Sequence, residues 1–212
     1  MNEARYPILP PEVPQLRGQR VLRWLGHLIY WLSGWRIRGE FPPVAKAVAI
    51  AAPHSSNWDG IIGISCAYAL GLRAAWMGKD SLFKFGLGGI MRAFGGIATD
   101  RSNRSGAVGQ MSRLFAEASN MWLVLAPEGT RKPVRKWRTG FWHIAQEAGV
   151  PLVPIAIDFE ARCFVIGPPY QPTGDKARDL AALYEFYRPF RGKGGKSALP
   201  LERLEAEAQG TP

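Results

Sequence analysis

A chain of 212 residues with 47% hydrophobic content is long enough to bury a core as one domain without disulfides or metals. Its two cysteines, Cys66 and Cys163, sit in apolar segments rather than at paired-ligand spacings, which argues against a disulfide framework or a zinc site and for buried thiols in a reducing compartment. The formal charge of +10 attracts the chain to polyanions, nucleic acid or the anionic face of a membrane, without choosing between them.

In chain order, no charged leader with an apolar run and a cleavage site opens the sequence, so a cytoplasmic start is expected. Residues 1–17 carry Pro7, Pro10, Pro11 and Pro14 and are expected to form an irregular arm, because each proline removes a donor and restricts its predecessor. From Val21 to Trp35 a helical wheel gathers Val21, Leu22, Trp24, Leu25, Leu28, Ile29, Trp31, Leu32 and Trp35 on one arc, opposite Arg23, Gly26, His27, Tyr30 and Ser33. This run is shorter than the roughly 20 apolar residues a crossing helix needs, and Arg23 and His27 interrupt it. It predicts an amphipathic helix lying in a membrane interface within residues 18–40, and its tryptophans suit the headgroup layer.

Beyond Pro43 short apolar runs alternate with helical patterns, as in an α/β single domain whose mixed, largely parallel sheet is flanked by helices; it is expected over residues 41–190. Strands are read at Ala47–Ala52, Ala74–Met77, Gly96–Thr99, Trp122–Leu125 and Leu152–Ile157, with Cys163–Ile166 beside the last. Helices are read at Gly60–Leu70, in a glycine-broken stretch over Leu82–Phe94, at Ala107–Ser119 and at Thr139–Ala148. The tract 191–212, rich in Gly, Lys and Glu, reads as a loose tail.

Four blocks carry candidate chemistry. His54 and Asp59 lie five positions apart in a loop at the carboxyl end of a strand, where sites in open α/β sheets concentrate. Acyl transfer to an alcohol needs a base beside the hydroxyl, a task for which imidazole is suited near pH 7, and a carboxylate on its other nitrogen fixes the tautomer. The same residues also fit a helix-capping aspartate with a surface histidine. Glu128-Gly129-Thr130-Arg131 follows the strand Trp122–Leu125 on the same sheet edge; its hydroxyl and guanidinium suit phosphate, while Glu128 is placed to hold Arg131 or accept a glycerol hydroxyl. Gly96 through Arg101 ends a short strand with a cation suited to an anionic headgroup. Val150 to Ile155 is an apolar strand bracketed by Pro151 and Pro154 that shapes a wall. Lys132, Arg135, Lys136 and Arg138, interleaved with Trp137, read as a rim for anionic lipid or carrier phosphates.

In this order and at this separation the four blocks resemble the glycerolipid acyltransferase family that includes the lysophosphatidic acid acyltransferases. The resemblance spans about Ala47 to Ile157: His-x4-Asp at His54 and Asp59, a glycine-led strand ending in Asp-Arg at Asp100 and Arg101, Glu-Gly-Thr-Arg unchanged at Glu128 to Arg131, and the proline-bracketed strand. Lys79 and Gly140-Phe141 add to it. It implies that His54 deprotonates the acceptor hydroxyl, that Asp59 orients the ring, and that Arg101, Glu128, Gly129, Thr130 and Arg131 bind the acceptor's phosphate and glycerol. Acyl-CoA or acyl carrier protein would be the donor, with no metal and no cofactor. The acceptor would be a lyso-glycerolipid, 1-acylglycerol-3-phosphate giving phosphatidic acid, at the cytoplasmic face of the inner membrane in a peripheral or monotopic protein. Pro53, where relatives often carry asparagine, and the run Ser55 to Gly60 depart from the commonest phosphatidate-forming members. They leave other lyso-lipids, such as lyso-aminolipids, open as acceptors, beside a catalytically silent lipid-binding relative. A nucleic-acid partner lacks any recognised motif, and a serine hydrolase lacks a Gly-x-Ser-x-Gly elbow.

Overall fold

The computed structural model describes residues 7–83, 86, 88–100 and 104–209. Its core is a seven-stranded sheet in the order β1-β7-β6-β2-β5-β3-β4, counted among the described residues. The strands are β1 (Arg36–Arg38), β2 (Lys46–Ala52), β3 (Ala74–Lys79), β4 (Gly96–Thr99), β5 (Met121–Leu125), β6 (Leu152–Asp158) and β7 (Cys163–Ile166). Every pairing is parallel except that of β6 with β7. The helices are α1 (Arg20–Ser33), α2 (Asn57–Leu70), α3 (Gly88–Ala93), α4 (Arg104–Glu117), α5 (Gly140–Ala148), α6 (Lys176–Tyr187) and α7 (Leu201–Ala208), with a single tight turn over Asp80–Phe83.

Parallel strands buried on both faces need continuous apolar runs rather than alternation. Val48, Ile50, Leu123, Leu152 and Ala156 accordingly pack with Phe115, Phe141 and Ile144 into the largest core cluster. The other face is closed around Trp122, Phe41, Val13 and Leu72. β2 lies between β5 and β6, with Ile50 opposite both Leu125 and Pro154. The loops that follow β2 and β5 therefore leave the same sheet edge at the same level, which is how residues 74 positions apart come to touch.

Three sequence expectations need correction. Helix α1 stops at Gly34, which adopts a left-handed conformation (φ 71°), so Trp35 leaves the wheel. It is buried against Phe159 and Phe164, with ring centroids 4.9 Å away in both cases. The face of α1 read as polar is the one that packs: Tyr30 is fully buried, and a Cβ on Gly26 would stand 2.7 Å from Tyr68 Cβ on α2. The glycine is what lets the two helices approach so closely, and its consequence is that the apolar arc points outward. Val21, Trp24, Trp31 and Leu32 are each more than half exposed. Next, Trp137 is no interfacial residue: it is buried, its Nε1 donating to the Ala198 carbonyl, with Phe141, Tyr184 and Tyr187 packed around it. The proline-rich arm, irregular where described, is held to the chain after α2, since Arg73 N–H donates to the Pro14 carbonyl and Leu16 N–H to that of Gly71. Lastly, the tract beyond Arg191 is no loose tail where described. It forms a short hairpin bridged from Arg191 to Ser197, then α7, tied by Leu201 N–H to Val134 and by Lys136 to Glu202 at 3.2 Å.

Candidate active site

The sheet edge brings two of the four blocks into direct contact. His54 leaves β2 just after a cis Ala52–Pro53 bond, and its Nδ1 lies 3.2 Å from Asp59 Oδ2. Asp59 sits in the first turn of α2 and has two tasks at once. Its carboxylate accepts the backbone N–H of Ser55 and that of Ser56 (2.7 Å), together with the Ser56 hydroxyl at 2.8 Å, so it caps the helix and holds the imidazole through the same oxygen. Asp59 thus caps the helix and also makes the imidazole contact that the functional reading needs. Burial pushes the carboxyl up, but the hydrogen bonds from His54, Ser56 and Ser55 outweigh it and hold Asp59 below the ordinary aspartate value. A carboxylate held ionised at Nδ1 favours the tautomer with its proton on that nitrogen and leaves Nε2 as the one able to accept a proton.

On the neighbouring loop Glu128 turns inward rather than toward a ligand. It is 7% exposed, and its Oε1 accepts the His54 backbone N–H at 2.9 Å while Oε2 has no hydrogen-bond partner among the described residues. Burial pushes this carboxyl up to about 7, against the pull of the His54 N–H, its own backbone and the imidazole. Gly129, Thr130 and Arg131 follow it to the surface; Gly129 has a left-handed conformation (φ 61°), and Arg138 lies where a side chain would stand.

His54, Asp59, Gly129, Thr130 and Arg131 all line one cavity of about 1770 Å³. Beyond them it continues between α2 and the sheet, walled by Ile64, Ala67, Leu72, Trp76, Phe164 and others, and is mainly apolar there. Lys136 and Arg138 also line it, so two members of the expected basic rim belong to the site; Lys136 is paired with Glu202, whereas Arg131 and Arg138 make no ion pair among the described residues. From the second block, Thr99 is buried and lines the same cavity, while Arg101 lies outside the described residues. The fourth block is β6, with Ile155 and Ile157 facing the cavity. No group of three or more His, Cys, Asp or Glu side chains is placed to hold a metal among the described residues.

The arrangement can do two things side by side: take a proton at His54 Nε2, and hold an anion at Arg131 and Arg138 while apolar chain fills the remainder. Comparisons with known proteins give the family. A family model described as Acyltransferase matches residues 35–158. A curated relative named 1-acyl-sn-glycerol-3-phosphate acyltransferase, from Haemophilus influenzae, is 33% identical over 144 residues, covering 64% of this chain and 58% of its own length. The chain thus spans little more than half of that relative. A second, 1-acyl-sn-glycerol-3-phosphate acyltransferase alpha from Bos taurus, is 28% identical over 199 residues, covering 82% of this chain and 67% of itself. The crystal structure of the 1-acyl-sn-glycerophosphate acyltransferase PlsC from Thermotoga maritima shares the fold, with a TM-score of 0.56 at 17% identity over 90% of this chain and 79% of that one. With more than half of its length matched by the family model, the chain belongs to the acyltransferase family.

Proposed function

We propose that the protein is an O-acyltransferase that moves a fatty acyl group from a thioester, on CoA or an acyl carrier protein, to the free hydroxyl of a lyso-glycerolipid, with 1-acylglycerol-3-phosphate as acceptor. The observation that carries this reading is the 3.2 Å contact of His54 Nδ1 with the buried, ionised Asp59 at the mouth of a cavity with a cationic rim and an apolar depth. His54 Nε2 takes the hydroxyl proton as the acceptor oxygen attacks the thioester carbonyl; the C–S bond then breaks and the departing thiolate recovers the proton from the imidazolium. The acyl group goes directly from donor to acceptor, and the proton balance needs no resident cofactor. Thr130, Arg131 and Arg138 suit the acceptor's phosphate, and the relatives' names favour that acceptor.

Access to such a lipid is best explained by α1 lying in the interface of the cytoplasmic leaflet. Its outward arc, with Trp58, Ile61 and Ile64 of α2, forms an apolar surface that water does not favour, while among the described residues no helix is long and apolar enough to cross a membrane. Changing Trp24 and Trp31 to Ser is expected to release the protein from anionic vesicles in high salt; sedimentation equal to wild type would remove α1 from the interface. The catalytic test offers lysophosphatidate and lyso-aminolipids as acceptors with acyl-CoA and acyl carrier protein as donors. We expect phosphatidate from the first acceptor and a loss of about a thousandfold in kcat for His54→Ala in a folded protein. Transfer to no lyso-lipid would turn the reading toward a silent lipid-binding relative, and transfer to a lyso-aminolipid alone would change the acceptor.

A further inference from the structure

The hairpin from Arg191 to Ser197 lies beyond the family-matched residues, yet it is fastened to both active-site loops. The Lys196 ammonium donates to the Ser55 carbonyl at 3.1 Å and to the Arg131 carbonyl at 3.4 Å, one cation spanning the loop that bears the base and the turn that bears the phosphate ligands. Lys193 N–H donates to the Ser55 hydroxyl at 2.8 Å, and its ammonium stands 5.5 Å from the centroid of the Trp58 ring. Gly192 makes the approach possible, since a Cβ there would stand 2.6 Å from Ser55 Oγ. The hairpin's own turn is closed by Gly195 N–H to the Gly192 carbonyl and by Gly192 N–H to that of Lys196, so the lysine is presented from a defined frame. Ser55 follows His54 directly, and its N–H is bonded to Asp59. Whatever fixes Ser55 therefore fixes the catalytic pair.

We propose that Lys196 is a positioning residue for acyl transfer, a strut that sets the distance between the His54 loop and the Glu128–Arg131 turn and so between the base and the acceptor's phosphate. The inference rests on the acyl-transfer reading above. Covalent geometry does not link the two loops, and their other described tie, Glu128 to the His54 N–H, holds them at depth rather than at the surface. Misplacing a base by an ångström is enough to lose orders of magnitude in rate.

The test compares Lys196→Met, Lys196→Arg and Gly192→Ala by steady-state kinetics and by the rate at which diethyl pyrocarbonate labels His54, read by peptide mass spectrometry. Lys196→Met is expected to lower kcat about tenfold or more with the melting temperature held, and to speed labelling of His54 several-fold as the loop loosens. Lys196→Arg, able to reach both carbonyls, restores both quantities. Gly192→Ala pushes the hairpin off Ser55 while keeping every charge, and is expected to resemble Lys196→Met. Wild-type kcat and labelling in Lys196→Met overturn the strut, and so does a slow Lys196→Met beside a normal Gly192→Ala, because the ammonium then acts by charge and not by position. Should wild-type protein transfer no acyl group, the acyl-transfer reading fails by itself and the labelling rates alone decide whether Lys196 holds the His54 loop.

Discussion

Two buried carboxylates flank one histidine, and they are treated in opposite ways. Asp59 receives His54, two backbone N–H groups and a hydroxyl, and is held below its ordinary value. Glu128 receives the His54 N–H on Oε1, has no hydrogen-bond partner for Oε2 among the described residues, and is pushed up to about 7. Burial raises both, more strongly at Glu128, and Asp59 sets more donors against it. Asp59 gains them by standing at the start of a helix, where N–H groups have no other acceptor. Glu128 stands in a turn whose N–H groups already serve elsewhere, as Gly129 N–H does to the Ala126 carbonyl. One carboxylate is built to stay charged beside the ring, and the other to sit beneath it near neutrality.

The largest effect is expected where charge is required. Asp59→Asn keeps the shape but offers an amide N–H where His54 Nδ1 needs an acceptor, favouring the wrong tautomer; kcat should fall by about 10³ to 10⁴. Stability should fall as well, with a pH signature. Because the folded value of Asp59 is depressed, its contribution is present above the unfolded value of 3.8 and is lost as pH falls through the lower folded value. The stability gap between wild type and Asp59→Asn is therefore wide at pH 7 and narrows in strong acid. Activity within tenfold of wild type would reduce Asp59 to a helix cap and erase the contrast with Glu128.

Much of this was legible in the sequence because parallel strands announce themselves as apolar runs and the loops after them carry the polar blocks. β2, β4, β5 and β6 fall within a residue of expectation, and His54 and Asp59 meet as their spacing suggested. Elements whose apolar pattern is brief or interrupted escaped. Strand β1 is three residues long with two exposed arginines around Ile37, and the packing face of α6, which carries Leu183 and Tyr187, opens on Asp179, a fully buried carboxylate satisfied by Trp142, Tyr170 and Thr173. On α1 a glycine and a tyrosine make the packing face, so the wheel finds the two stripes and the apolar arc points outward, the direction an interfacial helix needs, while Trp35 leaves that arc for the core. The Arg191–Ser197 hairpin was beyond reach, since a Gly-Lys tract looks solvated until Ser55 supplies the partner that its missing side chains were shaped to meet.

Glu128→Gln sharpens the other half of the contrast. Glutamine keeps an oxygen for the His54 N–H and removes the ionisation, so the variant tests whether a proton on Glu128 holds the two loops together. The folded value of about 7 lies above the unfolded 4.5, so the native state binds the extra proton; the stability it brings is full below pH 4.5 and is lost as pH rises through 7. By linkage that loss amounts to about 3 kcal/mol, as an order of magnitude. Denaturant melts at pH 5 and pH 8 should therefore show wild type weakening relative to Glu128→Gln, with the variant the more stable of the two at pH 8. If both proteins share one pH slope, Glu128 titrates as an ordinary carboxylate in the folded chain. Its burial would then be relieved by solvent or a ligand at Oε2, and the inward-facing half of the site would have to be redrawn around that partner.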